Sequence, residues 1–333
     1  MALRRPPRAL TISVAAAGTA AGIALQLRHL RRIARDPEYA RLTTPLEGRP
    51  LVVTSADGTR LHAEVFGPED GATVVLAHGW TEALAFWGPV IQRLRDAGLR
   101  TVAYDLRGHG ASGSATDHDY SLERFGEDLE AVLVAVTGGQ QLPTVAGHSL
   151  GAMSIAAWAE HHDVSARVRA ATLINTGFGD LIAGSLLFGE LAKRLESPFL
   201  SRLVLGSRTP LPPFSTPLQQ AVIRHAAFGP TATRGQVAFY EQMLIATAPD
   251  ARAAAGVALT DMDLWHAVAR LTVPTLVVAG ERDRLTPPAH ARRITETLPH
   301  PAGLIVLPET GHMSPLERPQ EVAAALIELS ARP

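Results

Sequence analysis

A serine stands between two glycines at Gly147-His148-Ser149-Leu150-Gly151, directly after an apolar run and directly before an alanine-rich one. The pattern G-x-S-x-G is a spacing at which a serine hydroxyl can act as a nucleophile. A strand that turns at once into a helix cramps its junction residue, and glycines two residues to either side remove the side chains that would collide there. The same turn leaves the first amides of the helix unpaired, aimed near the serine, where a developing negative oxygen would be stabilised. A serine at such a junction can equally be a plain helix N-cap. The choice rests on what else the chain sends to the same place.

A serine hydroxyl near neutral pH needs a base within hydrogen-bond reach, and the chain holds thirteen histidines. His312, in "PETGHMSP", follows an apolar run and sits in a tight loop marked by glycine and Ser-Pro. Asp283, in "AGERDRLTP", follows another, with Glu281 two residues earlier as a competing acid. Residues just past the carboxyl ends of parallel strands converge on one crevice, so Ser149, His312 and one of the two acids are expected to meet. His148 is expected to point away from its neighbour and pack beneath the sheet edge, and His109 to be a loop residue. His161, His162 and Asp163 suggest a metal site on paper, but adjacent histidines on a helix face different ways, so no metal is expected. No G-x-G-x-x-G or Walker pattern follows a strand, and no cofactor is implied. Trp80, Phe86, Trp87 and Trp158 are assigned to core or cleft wall.

The elements that position these residues are legible from Leu51 onward. A hairpin is expected around Asp57-Gly58, then strands at Thr73 to His78, Arg100 to Asp105, Pro143 to His148, Arg169 to Asn175, Pro274 to Gly280 and Gly303 to Pro308. Helical patterns cover Ala83 to Ala97, Ser121 to Val136, Leu150 to His161, Pro288 to Leu298 and Pro319 to Leu329. Runs that are apolar on both faces and alternate with helices predict an α/β fold with a mostly parallel, doubly wound sheet. The connection from Asn175 to Pro274 is far longer than connections in compact domains, so a second, helical unit is expected there. The boundaries follow as a core of residues 46–177 and 264–333 and a helical insertion of 178–263.

Composition narrows the classes. A chain of 333 residues, 46% hydrophobic, with a formal net charge of -1, can bury a large core and carries no electrostatic footprint for nucleic acid. Without cysteine, covalent chemistry must use oxygen or nitrogen. The N-terminus differs. After Arg4, Arg5 and Arg8, Ala9 to Leu27 holds no charge, and Arg28, Arg31, Arg32 and Arg35 follow. That is close to the ~20 apolar residues of a spanning helix, so residues 1–45 are expected to be a hydrophobic membrane anchor with a basic linker, giving membrane-associated localisation. The excess of arginines after the stretch leans the body toward the cytoplasm. The rival expectations are a signal peptide cleaved near Ala15 to Ala21, with secretion, and a helix that never inserts.

The succession of "HGW" (His78 to Trp80), "DLRGHGAS" (Asp105 to Ser112), "GHSLG", "GERD" and "TGH" resembles the α/β-hydrolase family, in its serine esterase and lipase-like branch, over residues 51–330. The resemblance implies that Ser149 is the nucleophile, His312 the base, Asp283 the orienting acid, and the amides of Trp80 and Leu150 the oxyanion hole. Asp283 is favoured over Glu281 because the family's acid sits at the third position after the strand-ending glycine. The insertion becomes the family's cap. The expected activity is hydrolysis of carboxylic esters through an acyl-enzyme, with lipophilic esters or monoacylglycerols preferred because an anchored enzyme meets esters that partition into a bilayer. "HGWTEALAFW" also resembles the cofactor-free haloperoxidase (perhydrolase) branch, and carbon-carbon bond hydrolases share the triad. A non-catalytic ligand-binding module is the alternative of another class.

Overall fold

Apolar runs with no polar alternation need cover on both faces, and eight strands meet that need in one sheet of the computed structural model. The structure describes residues 22–137, 141–181, 202, 205–260 and 262–332. Strand β1 (Arg49–Thr54) pairs antiparallel with β2 (Arg60–Phe66), and β2 antiparallel with β4 (Arg100–Tyr104). From there all pairings are parallel, through β3 (Thr73–Ala77), β5 (Thr144–His148), β6 (Ala170–Ile174), β7 (Thr275–Gly280) and β8 (Pro301–Leu307), in the spatial order β1-β2-β4-β3-β5-β6-β7-β8. The β1–β2 turn uses Gly58 at φ 86°, while Asp57 accepts the Thr59 amide at 2.9 Å.

Side chains alternate between two apolar layers. Val75, Val145, Leu173 and Val277 face α4 (Leu122–Val136) and α5 (Leu150–His161). Val74, Ala146, Ile174 and Val278 face α3 (Gly88–Asp96) and, near the C-terminus, Pro319–Ala331. The helix expected from Ala83 begins instead as a 3-10 turn, Leu84–Trp87, before α3. Pro89 has no N–H to donate to the carbonyl of Ala85, so a continuous α-helix cannot form across that point. Because β3 lies between β4 and β5, the chain reverses its direction of travel across the sheet there. That reversal is where an open α/β sheet places its ligand crevice, at the carboxyl ends of β3 and β5.

Between β6 and β7 the described chain forms α6 (Pro217–Ala227), α7 (Arg234–Ala246), α8 (Pro249–Ala258) and the short α9 (Trp265–Val268). Helix α7 starts with a reciprocal capping box between Thr233 and Gln236. Helix α8 carries no leucine or isoleucine stripe and was not expected. The leucine-rich run at 182–201 lies outside the described residues.

The expected anchor and the membrane localisation drawn from it are corrected. No helix among the described residues is long and apolar enough to cross a membrane. Residues 9–21 of the uncharged stretch, and with them the cleavage region of the secretion alternative, lie outside the described residues. What is described, 22–34, is a helix, α1, that includes Arg28, Arg31 and Arg32 and rests on protein. Ile33 and His29 are buried, His29 Nε2 lies 2.9 Å from Ser215 Oγ, and Gln26 donates to the Ser215 carbonyl at 2.5 Å. Asp36 then caps α2 (Pro37–Thr43) and accepts the Gly235 amide at 2.8 Å, tying the segment to α7. Within the uncharged stretch the described Ile23, Leu25 and Leu27 are exposed, and apart from Gln26 the contacts with protein are made by residues that follow it.

Candidate active site

Ser149 occupies the junction of β5 and α5 at φ 50°, ψ -115°, a conformation L-residues rarely adopt. Holding a non-glycine residue there costs ~1–3 kcal/mol, which the surrounding structure must supply. It does so from both flanks. The Ser149 amide donates to the Ile174 carbonyl at 2.9 Å, and its carbonyl accepts from Thr176 Oγ1 at 3.1 Å. A Cβ on Gly147 would stand 2.4 Å from the Ala152 nitrogen, and one on Gly151 2.2 Å from the Ala77 carbonyl oxygen. Both glycines are therefore required by close backbone approach. The side chain makes no capping bond, which removes the N-cap reading, and the residue is half-buried, so its hydroxyl is left for another partner.

Asp283 and His312 are brought together. His312 Nδ1 lies 2.8 Å from Asp283 Oδ2. With the carboxylate as acceptor, Nδ1 carries the proton and Nε2 is left bare, the tautomer that a general base requires. Asp283 is 1% exposed and receives four further bonds: Asn175 Nδ2 (2.9 Å) and Thr286 Oγ1 (2.8 Å) on Oδ2, and the amides of Leu285 and Thr286 (2.9 Å each) on Oδ1. Burial alone would raise its pKa. The charge and hydrogen bond of His312 and the donors from Asn175 and Thr286 outweigh it and hold the carboxyl below its usual range. Glu281 is exposed and turned elsewhere, accepting the Glu309 amide at 3.1 Å and lying 3.5 Å from Arg282.

The loop after β3 carries Trp80. His78 lies 2.8 Å from the Gly79 carbonyl through Nδ1 and accepts the Leu106 amide at 3.0 Å through Nε2; burial holds its pKa down, so it is neutral. The Trp80 indole donates to the Arg252 carbonyl of α8 at 2.9 Å, and Thr81 Oγ1 lies 2.9 Å from Tyr240 Oη of α7. Leu150 is the first residue of α5. Among the described residues no acceptor partners the main-chain amide of Trp80 or of Leu150, so both remain available to an oxyanion.

Other expected residues fall outside the constellation. His148 is fully buried beneath the elbow, as its position suggested. His109 is buried with Nδ1 2.9 Å from the Arg107 carbonyl, and burial pushes its pKa down to about 4. His162 stacks on Trp158 and Asp163 accepts the Ala166 amide, so neither is spare. Sequence reasoning missed Asn175, Thr286, Glu82 and Glu317. The last accepts the Gly229 and Gly311 amides at 2.8 and 3.0 Å, bracing the His312 loop against the insertion. For Asn175 a signal existed: a polar residue ends the apolar run "AATLI" at the carboxyl edge.

Comparison with known proteins agrees with this fold. A family profile described as alpha/beta hydrolase fold matches residues 72–319. A candidate carbamate hydrolase of Variovorax paradoxus is 30% identical over 82% of this chain and 96% of its own length. A monoacylglycerol lipase of Mycolicibacterium smegmatis is 30% identical over 72% of this chain and 80% of its own. Among solved structures, a thermophilic esterase from Thermogutta terrifontis superposes with a TM-score of 0.66 at 22% identity, covering 84% of this chain and 97% of that one.

Proposed function

Because the chain belongs to the alpha/beta hydrolase fold family, we propose that Ser149, His312 and Asp283 are its catalytic triad, and that the Trp80 and Leu150 amides form its oxyanion hole. The protein is a serine hydrolase of carboxylic esters, in keeping with its lipase relative. The observation that supports these roles is the buried Asp283–His312 hydrogen bond at 2.8 Å, on a neighbouring loop to a strained, uncapped Ser149.

In this reading His312 Nε2 takes the Ser149 proton as Oγ attacks the ester carbonyl. The two amides hold the oxyanion, and His312 returns the proton to the leaving alcohol. Water then attacks the acyl carbon while giving a proton to His312, and His312 passes that proton to Ser149 Oγ as the bond to the acyl group breaks and the acid leaves. Asp283 stays ionised throughout and stabilises the imidazolium. The insertion acts as the cap, its helices α8 and α7 hydrogen-bonded to the oxyanion loop through Arg252 and Tyr240.

The finer substrate reading is a lipophilic ester such as a monoacylglycerol. Its support is the lipase relative, since the anchor that first suggested it is overturned. The test is hydrolysis of p-nitrophenyl esters from acetate to palmitate, with a carbamate as comparison, by the protein and by Ser149→Ala. Turnover that rises with chain length and drops at least ~10⁴-fold in the variant supports the reading. A sharp preference for acetate refutes the lipophilic substrate, and retained turnover in Ser149→Ala refutes the nucleophile.

A further inference from the structure

Beneath the elbow lies an ion pair that the ester chemistry does not use. Glu82 and His148 are 1% and 0% exposed, and His148 Nδ1 is 3.0 Å from Glu82 Oε1. The Glu82 carboxylate also accepts the Gly79 amide at 2.5 Å, one residue before Trp80. On its far side His148 Nε2 donates to the main-chain carbonyl of His312 at 2.8 Å. These contacts link the ends of β3, β5 and β8 in one chain of hydrogen bonds.

Two features make packing alone an insufficient account. A carbonyl at Nε2 demands a proton there and a carboxylate at Nδ1 demands one there too, so an imidazolium meets both contacts at once. Burying such a pair costs several kcal/mol of desolvation, and apolar side chains of similar volume often serve stability as well or better. The pair also has both ring nitrogens committed. His148 therefore cannot compete with His312 for the Ser149 proton.

We propose that Glu82 and His148 are positioning residues, a buried carboxylate–imidazolium pair that sets the oxyanion loop and the backbone of His312 in register with the nucleophile elbow. This rests on the ester-hydrolase reading above. The backbone of His312 is fixed from both sides, its carbonyl by His148 and its amide by the Ala227 carbonyl at 2.8 Å. The groups facing His148 are Glu82 and His78 from the loop after β3, the His312 ring at 4.9 Å after β8, and Asp283 after β7, with the Phe86 ring on one side. Burial works against the imidazolium. The Glu82 charge and bond, the His312 carbonyl and the Asp283 charge outweigh it and raise its pKa. The charge thus persists to higher pH than on a free imidazole and is lost as the pH rises.

The test is steady-state kinetics on Glu82→Gln and His148→Gln, with nitrogen NMR of the His148 ring in the unaltered protein. Neither residue touches substrate, so kcat is expected to fall ~10-fold or more with KM within about threefold. In Glu82→Gln the alkaline fall of kcat moves to lower pH. The NMR is expected to show both His148 nitrogens protonated near neutral pH. Folded variants with kcat within about twofold, or a loss carried by KM alone, overturn the proposal. If the variants do not fold, the NMR decides, and a neutral His148 ring overturns it. Failure of the ester-hydrolase reading is seen separately, as turnover that survives Ser149→Ala.

Discussion

Replacing Asp283 by asparagine tests the carboxylate with almost no change in shape. The native side chain receives five hydrogen bonds, three on Oδ2 and two on Oδ1. The two on Oδ1 come from main-chain amides, which cannot reverse. The asparagine oxygen must therefore take the Oδ1 position, leaving its NH₂ where Oδ2 was. There it meets Thr286, whose hydroxyl can turn to accept. It also meets Asn175 Nδ2, which still donates, and His312 Nδ1, which can accept only by surrendering its proton to Nε2. The base then presents an N–H to Ser149 instead of a lone pair. The expected loss is ~10⁴-fold in kcat, about 5 kcal/mol of transition-state stabilisation. The unmet Asn175 donor adds ~1–3 kcal/mol of destabilisation. Steady-state ester hydrolysis reads the first and urea denaturation the second. Glu281→Gln, on the exposed neighbour, stays within about threefold. If Asp283→Asn keeps activity within about tenfold of the unaltered protein, or Glu281→Gln is the crippled variant, the assignment of the acid fails.

Gly151→Ala sets a Cβ 2.2 Å from the Ala77 carbonyl oxygen on a fully buried strand, and overpacking against backbone is expected to cost at least ~1–3 kcal/mol in denaturant unfolding; an unchanged midpoint contradicts the elbow geometry. Asn175→Ala removes a donor from the Asp283 carboxylate, so the acid limb of the pH–activity profile is expected to move to higher pH, and an unmoved limb contradicts the bond. Glu317, pushed up to about 7 chiefly by burial, binds its proton more tightly folded than unfolded. Its contribution to stability is therefore fully present below its unfolded pKa and declines as the pH rises from about 4.5 through 7, by up to about 3 kcal/mol. His148, also raised, contributes with the same sign. Denaturation midpoints across that range check this, and Glu317→Gln is expected to flatten the dependence.

The sheet was legible because strands covered on both faces announce themselves as short apolar runs. Each expected strand lies within a few residues of its place, and the loops after β5, β7 and β8 hold Ser149, Asp283 and His312 as the topology required. The supports of the site were not legible. Glu82, Asn175 and Glu317 act through partners that only folding brings near: Glu82 meets His148 across 66 positions, Asn175 donates to a carboxylate 108 positions away, and Glu317 reaches Gly229 across 88. No local pattern of residue types encodes such pairs. The N-terminal segment misled for a related reason. Hydropathy reads an isolated helix, whereas the described helix runs on past the uncharged stretch through Arg28, Arg31 and Arg32 and is held to the protein by His29 and Ile33.

The central claim is that the Ser149 hydroxyl is activated for acyl chemistry. Its most direct test is the site of covalent attachment of a fluorophosphonate, found by mass spectrometry of proteolytic peptides. One adduct per chain, on the peptide carrying Ser149 and absent from Ser149→Ala, is the predicted result. A folded protein that takes no label, or takes it at another residue, contradicts the account.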